Sequence, residues 1–246
     1  MDEKKIDDGF YEQFWADSLY QQAYAFDSAV RDRYPAIKKV WGEMRQARKV
    51  LDYGCGNGVL TYWLWSNGFG AEVMGVDVSK TGINNAQQSF AREGLTFATI
   101  DALNSLTPHS FDVVVSSHVL EHIDQPEVAL VGIAEKAEWL VLEVPLEKCI
   151  WADLVARLKG RPRNDNPLGH VNFWNKATFK EFLKKSGLLV IRDYHYVSAP
   201  YSPFNHWTKR ILELFVLKLI GLRLYSKIMA THYIVLARKI DNGASV

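Results

Sequence analysis

Val50-Leu51-Asp52-Tyr53-Gly54-Cys55-Gly56-Asn57-Gly58 decides the fold of this chain. A short apolar run with β character drops into three glycines at alternate positions, and the helix-compatible segment from Val59 to Ser66 follows at once. Glycines spaced this way let the backbone turn sharply and approach a ligand without interference from a Cβ. Between the end of a strand and the start of a helix they also offer free N–H groups. The spacing is G-x-G-x-G, with an acid, Asp52, two positions before the first glycine. It differs from the G-x-G-x-x-G fingerprint of dinucleotide sites, which argues against a nicotinamide enzyme. An acid at the strand end favours a ligand that carries positive charge nearby.

Outward from this loop the chain alternates strand and helix. Lys49 to Asp52 is the first strand and Ala71 to Asp77 the second; a helix is expected over Thr81 to Glu93 and a third strand over Leu95 to Ile100. The β-branched run Phe111 to Ser116 reads as a buried fourth strand. A helix over Pro126 to Ala137 leads to a fifth strand, Trp139 to Val144, closed by Pro145. Near-continuous apolar strands alternating with helices signify a parallel sheet covered on both faces. Ligands of such sheets sit beyond the carboxyl ends of the strands, near the reversal of strand order. That rule gathers Asp52, Asp77, Asp101 and Ser116–Ser117 around one crevice.

The flanks are less regular. Residues 1–48 are expected to be a separate N-terminal segment that reads as helical and aromatic from 9 to 48, with Phe10, Tyr11, Phe14, Trp15, Tyr20, Tyr24 and Phe26 recurring near helical spacing. Packing onto the main domain (49–246) and a lid over a nucleoside or substrate are both open readings. Residues 157–170 read as an irregular polar loop, and Val171 to Trp174 as strand-like. Thr178 is expected to cap a helix from Phe179 to Ser186 that ends at Gly187. Leu188 to Tyr196 and Tyr233 to Ala237 are the last strands. The insertion 203–229 carries Lys209, Arg210, Lys218, Arg223 and Lys227 against Glu213, with an apolar face at helical spacing. One or two amphipathic helices are expected, with Phe215 and Leu219 buried and Lys218 and Arg223 exposed. Core packing or a homodimer surface, contact with an anionic membrane, and a cap over the substrate are its three readings.

Composition narrows the function. The chain of 246 residues is 48% hydrophobic and 23% charged, within the range of a globular domain that buries a full core. A formal net charge of +1 gives no sign of a nucleic acid as the main partner. Two cysteines, Cys55 and Cys149, do not make a disulfide framework, and the polar start lacks the apolar run of a signal peptide. No stretch of eighteen uncharged apolar residues occurs, so the expected setting is the cytoplasm, with peripheral membrane association left open.

Asp77 ends the second strand 21 residues after Gly56, where a carboxylate can accept hydrogen bonds from ribose hydroxyls. Asp101, before Ala102 and Leu103, can present its side chain and an adjacent N–H to an adenine edge, or simply form a turn. Taken in order, these motifs resemble the class I S-adenosylmethionine-dependent methyltransferases. Leu51 to Gly58 resembles that family's first motif, Asp77 its ribose-binding acid, Asp101-Ala102 its adenine-contacting pair and Phe111 to Ser116 its fourth strand. His118-Val119-Leu120-Glu121-His122-Ile123 is similar to the post-strand segment of its small-molecule branch. The resemblance covers about residues 45 to 196 and returns at the last strand. It implies an α/β, Rossmann-like, doubly wound sheet of seven strands with helices on both faces and an antiparallel last strand. It further implies S-adenosyl-L-methionine as cofactor, bound by Asp52, Gly54, Gly56, Gly58, Asp77, Val78, Asp101, Ala102 and Ser117.

Methyl transfer asks little of a protein, since the sulfonium already activates the methyl group and positioning supplies much of the rate. A hydroxyl acceptor must also lose its proton, for which histidine is suited. His118, near the expected methyl position, is the first candidate for base or orienter, with His122 and His170 in support. His118 and His122 would face the same way if their segment were helical. The plain alternatives are that His122 orders its loop and His170 makes a backbone hydrogen bond. No metal is assigned, although imidazole, carboxylate and a distant histidine can bind a divalent cation. Some related RNA 3′-end and quinone-precursor methyltransferases carry E-x-x-E-H with a later histidine; here His118 stands in place of their first glutamate. Ser116-Ser117-His118-Val119 stands where amino-methylating nucleic-acid enzymes carry an Asn-Pro-Pro-Tyr-like sequence. Arg157, Lys159, Arg161 and Arg163 either meet an anionic group on the substrate or form a solvated loop. The expected reaction is O-methylation of a sugar, a nucleotide-linked glycan precursor, a lipid-linked metabolite or a secondary metabolite. An NAD-dependent oxidoreductase and a non-catalytic cofactor-binding module are the competing classes.

Overall fold

Seven strands form one sheet in the order β3-β2-β1-β4-β5-β7-β6. The strands are β1 (Ala47–Tyr53), β2 (Gly70–Asp77), β3 (Leu95–Thr99), β4 (Phe111–Ser117), β5 (Ala137–Leu146), β6 (Leu188–Tyr196) and β7 (Thr231–Lys239). The first five run parallel, and β7 lies antiparallel between β5 and β6. The computed structural model describes residues 8–16, 25–44, 46–160, 169–202 and 205–240. Tyr20, Tyr24, Arg161, Arg163 and the first residues of the insertion lie outside them.

Strand residues alternate between two cores, as a sheet covered on both faces requires. Val50, Val73, Val113, Val115, Val141, Ile234 and Leu236 face one side, where α2 (Tyr34–Trp41), α3 (Val59–Ser66) and α4 (Lys80–Phe90) supply Ile37, Leu64 and Ile83. Leu51, Val76, Val114, Leu140, Leu142, Tyr233 and Val235 face the other. There α5 (Pro126–Ala134) contributes Leu130 and Ile133, and α7 (Lys176–Lys185) contributes Phe179 and Leu183. The remaining helices are α1 (Asp8–Ala16), α6 (Ile150–Lys159) and α8 (Trp207–Ile228).

Several boundaries differ from those expected. Strand β5 runs through Pro145 to Leu146. Glu143 turns its carbonyl toward β4, where it accepts from the His118 N–H at 3.1 Å. Pro145 faces the same side two residues on, past the last β4–β5 pair, so its missing N–H breaks no ladder. Helix α4 is capped by Ser79 and stops at Phe90, because Ala91 is already extended. The cap of α7 is Asn175, with Thr178 completing a reciprocal capping box as its third residue, not as the cap itself. Residues 171–174 form no strand; the N–H groups of Val171 and Asn172 both donate to the Glu121 carbonyl.

The insertion is helical as expected, broken where Gly221 adopts φ 72° and ψ 163°. Its orientation is not the expected one. Phe215 and Leu219 are exposed, while Glu213 and Tyr225 are the buried residues of α8. Helical periodicity defined an apolar face correctly, but not which neighbour that face meets.

Candidate active site

The first loop is drawn over the sheet end by the Gly54 and Cys55 N–H groups, which donate to the Val76 carbonyl at 2.8 and 2.9 Å. Gly54 (φ 80°) and Gly56 (φ 54°) take left-handed conformations that side chains rarely adopt. A Cβ on Gly54 would run into Val119, and one on Gly56 into the Trp15 ring. Gly58 starts α3 in the same left-handed region. Asp77 ties this loop to the next one: Oδ2 accepts from Gly56 N at 2.8 Å and Oδ1 from Ser79 N at 2.9 Å. Burial raises its pKa, opposed by these N–H groups.

Asp52 lies beneath the loop, buried, accepting from Thr61 Oγ1 at 2.6 Å. Burial pushes its pKa up to about 6, against the Thr61 hydrogen bond and the charge of Arg33. Val78 projects beyond β2 with an exposed side chain. Asp101 is exposed and Ala102 partly buried within the 3₁₀ turn Ile100–Ser105. Ser117 is turned inward, donating to Glu143 Oε2 at 2.6 Å.

Helix α1 lies across this loop. Glu12 accepts from the N–H groups of Lys80 and Thr81 at 2.6 and 2.9 Å and from the Ser79 hydroxyl at 3.2 Å, at the positive end of α4. The Thr81 hydrogen bonds lead in lowering the Glu12 pKa to about 2. Asn85 Nδ2 donates to the Trp15 carbonyl, and Tyr11 meets the His122 ring edge-on at 5.9 Å.

His118 follows β4 with φ 59°, which ends the strand abruptly and aims the ring back into the crevice. Its segment is a single 3₁₀ turn, Leu120–His122, so His118 and His122 do not share a helical face. They converge instead on the buried carboxylate of Glu121. His118 Nδ1 stands 3.0 Å from Glu121 Oε1, and His122 Nε2 stands 3.9 Å from it. His118 Nε2 lies 3.1 Å from His232 Nδ1 and 3.5 Å from Glu143 Oε1. Tyr196 donates to the same Glu143 oxygen. Burial lowers the His118 pKa, but hydrogen bonds to Glu121 and Glu143 outweigh it and lift the value to about 9. His232 is pushed down to about 3 by burial and by the His118 charge. Glu143 is held below the usual carboxylate range, its burial outweighed by His118. At neutral pH the cluster is therefore an imidazolium between two carboxylates, beside a neutral imidazole.

His122 and His170 form a second group. Their rings meet edge-on at 4.8 Å; His122 Nδ1 faces the Gly169 carbonyl at 3.3 Å, and His170 Nδ1 faces Glu147 Oε2 at 2.6 Å. His170 thus makes a carboxylate contact. In a neutral imidazole, a ring nitrogen that donates to an oxygen leaves the opposite nitrogen as a lone pair. Burial leads in lowering the His122 pKa, which keeps it neutral. One oxygen of Glu121, Oε2, is buried with no hydrogen-bond partner. Ligand atoms of Glu121, His122 and His170 lie within 4.8 Å of one another, as do those of His118, Glu143 and His232. Either group is a donor set a divalent cation could accept.

Three contributors are absent from the sequence expectation. Glu143 meets His118 through the parallel β4–β5 register, which sets it opposite Ser117, and His232 through the antiparallel β5–β7 register, which sets it opposite Pro145. Arg33, in the π-helical turn Ala29–Arg33, acts electrostatically on Asp52, Glu143 and His118, and its Nε is buried without a partner.

Residues 20–192 match the family described as a methyltransferase domain. An 83-residue stretch is 37% identical to the ubiquinone biosynthesis O-methyltransferase of Methylococcus capsulatus, covering 32% of this chain and 34% of that one. A longer match to the enzyme of that name from Bartonella tribocorum is 26% identical over 205 residues, 78% of this chain and 73% of the relative. The chain spans well under half the length of the first curated relatives it matches, 34% and 40%. Among solved structures, the Haemonchus contortus phosphoethanolamine N-methyltransferase 2 with S-adenosyl-L-methionine superposes with TM-score 0.63 at 15% identity, over 94% of this chain and 60% of that one. A SAM-dependent methyltransferase from Archaeoglobus fulgidus gives 0.58 at 20% identity, over 94% and 99%. The chain belongs to this methyltransferase-domain family.

Proposed function

We propose that the chain transfers the methyl group of S-adenosylmethionine to a hydroxyl of a small, largely apolar acceptor. The observation that carries this reading is the joining of the first glycine loop to Asp77, above a buried Asp52 on which the charge of Arg33 acts. S-adenosylmethionine carries ribose hydroxyls, a carboxylate and a sulfonium, and these residues fit it part by part. Asp77 is assigned the ribose and Arg33 the carboxylate. Gly54, Gly56 and Gly58 are assigned the close backbone approach, with Asp52 as the nearest negative charge. Val78, Asp101 and Ala102 are assigned the adenine side, and Ser117, through Glu143, the floor beside His118. When bound, the sulfonium supplies an already activated methyl group. The α1 helix acts as a lid, with Trp15 over Gly56 and Glu12 latching it to α4. O-methylation is supported by the names of the relatives, and an apolar acceptor by the Tyr11 ring beside His122.

The chain's own chemistry is then proton handling. His118 is charged at neutral pH and, with its two ring nitrogens held by Glu121 and by the Glu143–His232 pair, serves as orienter by fixing the Glu121 carboxylate beside His122. His122 is neutral and receives the proton, with His170 holding its ring. Replacement of His122 by Ala, measured as kcat on a turned-over acceptor beside cofactor affinity, tests this: kcat falls by about 10²–10⁴-fold while cofactor binding holds. Unchanged kcat removes the role.

A second reading is favoured by the unpartnered Oε2 of Glu121 and the two imidazoles fixed through their Nδ1 atoms. In it Glu121, His122 and His170 would hold a divalent cation, which would supply Lewis-acid activation of the acceptor hydroxyl. Loss of activity in chelator and its return with Mg²⁺ or Zn²⁺ selects this reading; indifference to chelator selects the first.

A further inference from the structure

We propose that α6 and α8 together form a docking surface for an anionic phospholipid bilayer. Along α8, Trp207, Ile211, Phe215 and Leu219 recur every fourth residue and are 58–71% exposed, so one helical face is apolar and uncovered. On α6, Ile150, Leu154 and Leu158 repeat the pattern at 43–76% exposure, with Trp151 beside them. The two helices touch, which makes these stripes parts of one surface. Single exposed apolar residues are ordinary; contiguous stripes on adjoining helices mark an interaction site.

Charge identifies the occupant. Glu213, the one acid of α8, is turned into the protein, where it pairs with Lys209 at 3.9 Å. Lys209, Lys218, Arg223 and Lys227 are exposed, so α8 presents only cations to the outside. On α6 the exposed Arg157 and Asp153 offset one another. A two-fold contact would set this patch against itself and bring cations together, whereas an anionic surface neutralises them. Apolar anchors with tryptophan at the helix starts, flanked by lysine and arginine, suit the headgroup boundary of a bilayer. No helix among the described residues is long and apolar enough to cross a membrane, so α8 would lie in its plane. The surface adjoins the crevice: α8 leads into β7 just before His232, and α6 follows β5 shortly after Glu147, the partner of His170.

The test is co-sedimentation of the full chain with phosphatidylcholine vesicles, with and without about 30 mol% phosphatidylglycerol. Binding is expected to be about tenfold or more tighter to the anionic vesicles and to weaken as salt rises from about 0.1 to 0.5 M. Lys218→Gln and Arg223→Gln should each weaken it about fivefold. Phe215→Glu combined with Leu219→Glu should abolish it, with S-adenosylhomocysteine affinity unchanged as the measure of an intact fold. Equal binding to neutral vesicles, or undiminished binding by the double variant, overturns the proposal. So does a dimer in light scattering that the double variant dissociates, without vesicle binding by the wild type; the face would then belong to a second copy. None of these outcomes depends on methyltransferase activity.

Discussion

His118 gathers the polar contacts of the candidate site on one side chain. Its backbone is held at φ 59°, and both ring nitrogens face partners on other elements, Glu121 on one side and His232 with Glu143 on the other. An imidazole whose pKa stands near 9 in the folded protein is charged through the physiological range. The stabilisation this gives is complete below the unfolded value of about 6.5 and is lost as pH rises toward 9. Thermal unfolding followed between pH 6.5 and 9 should therefore show a falling Tm, and His118→Gln should flatten that slope. Activity should follow the same limb if the charged form fixes Glu121 beside His122, with kcat declining above about pH 9 in the wild type. A rate that climbs through pH 9 would instead make the neutral ring the working form. What the sequence could reveal at this scale was uneven. The place of Asp77 beside the glycine loop was legible, because both stand at the carboxyl ends of neighbouring strands. Glu143 and His232 were not, because nothing local distinguishes a strand glutamate from one paired to a histidine on a distant strand. Arg33 was hidden for a similar reason, since nothing local marks one arginine of a charged helical stretch as having a buried Nε.

At the scale of elements, strand alternation carried more information than helix periodicity. Val50 and Leu51, or Val113 to Val115, divide between two cores because a central strand buries both faces, and that arrangement was readable residue by residue. Helix α3 belongs to the same logic: Leu64 is fully buried against the sheet. Leu64→Ala should cost about 2–5 kcal/mol, seen as a lower midpoint in denaturant unfolding with an unchanged slope. In α8 the apolar face was equally clear, yet Phe215 and Leu219 point outward, since amphipathicity states a preference for an apolar neighbour without naming one. Helix α1 depends on a few polar anchors, chiefly Glu12 at the start of α4. Glu12→Ala should speed amide exchange across residues 8–16 and leave β1 and β4 protected. Equal protection in the variant would mean that Trp15 and Tyr11 alone hold the helix in place.

For the whole molecule, topology explains why these residues meet. The chain leaves β1 for β2 and β3 on one side, then returns to place β4, β5 and β7 on the other. Asp52, Asp77 and the glycine loop fall on one side of that reversal, and His118, Glu143 and His232 on the other. In the proposed reading a cofactor half and an acceptor half therefore share one crevice, with α1 across the glycine loop. The central claim is that the first half binds S-adenosylmethionine and the second acts on the acceptor. Calorimetric titration with S-adenosylhomocysteine of the wild type, Asp77→Ala, Gly56→Val and His118→Ala, with NADH as the competing ligand, tests it most directly. Binding by the wild type and His118→Ala, its loss in Asp77→Ala and Gly56→Val, and no binding of NADH are the predicted results. Wild-type affinity in both cofactor-side variants, or a preference for NADH, would contradict the account.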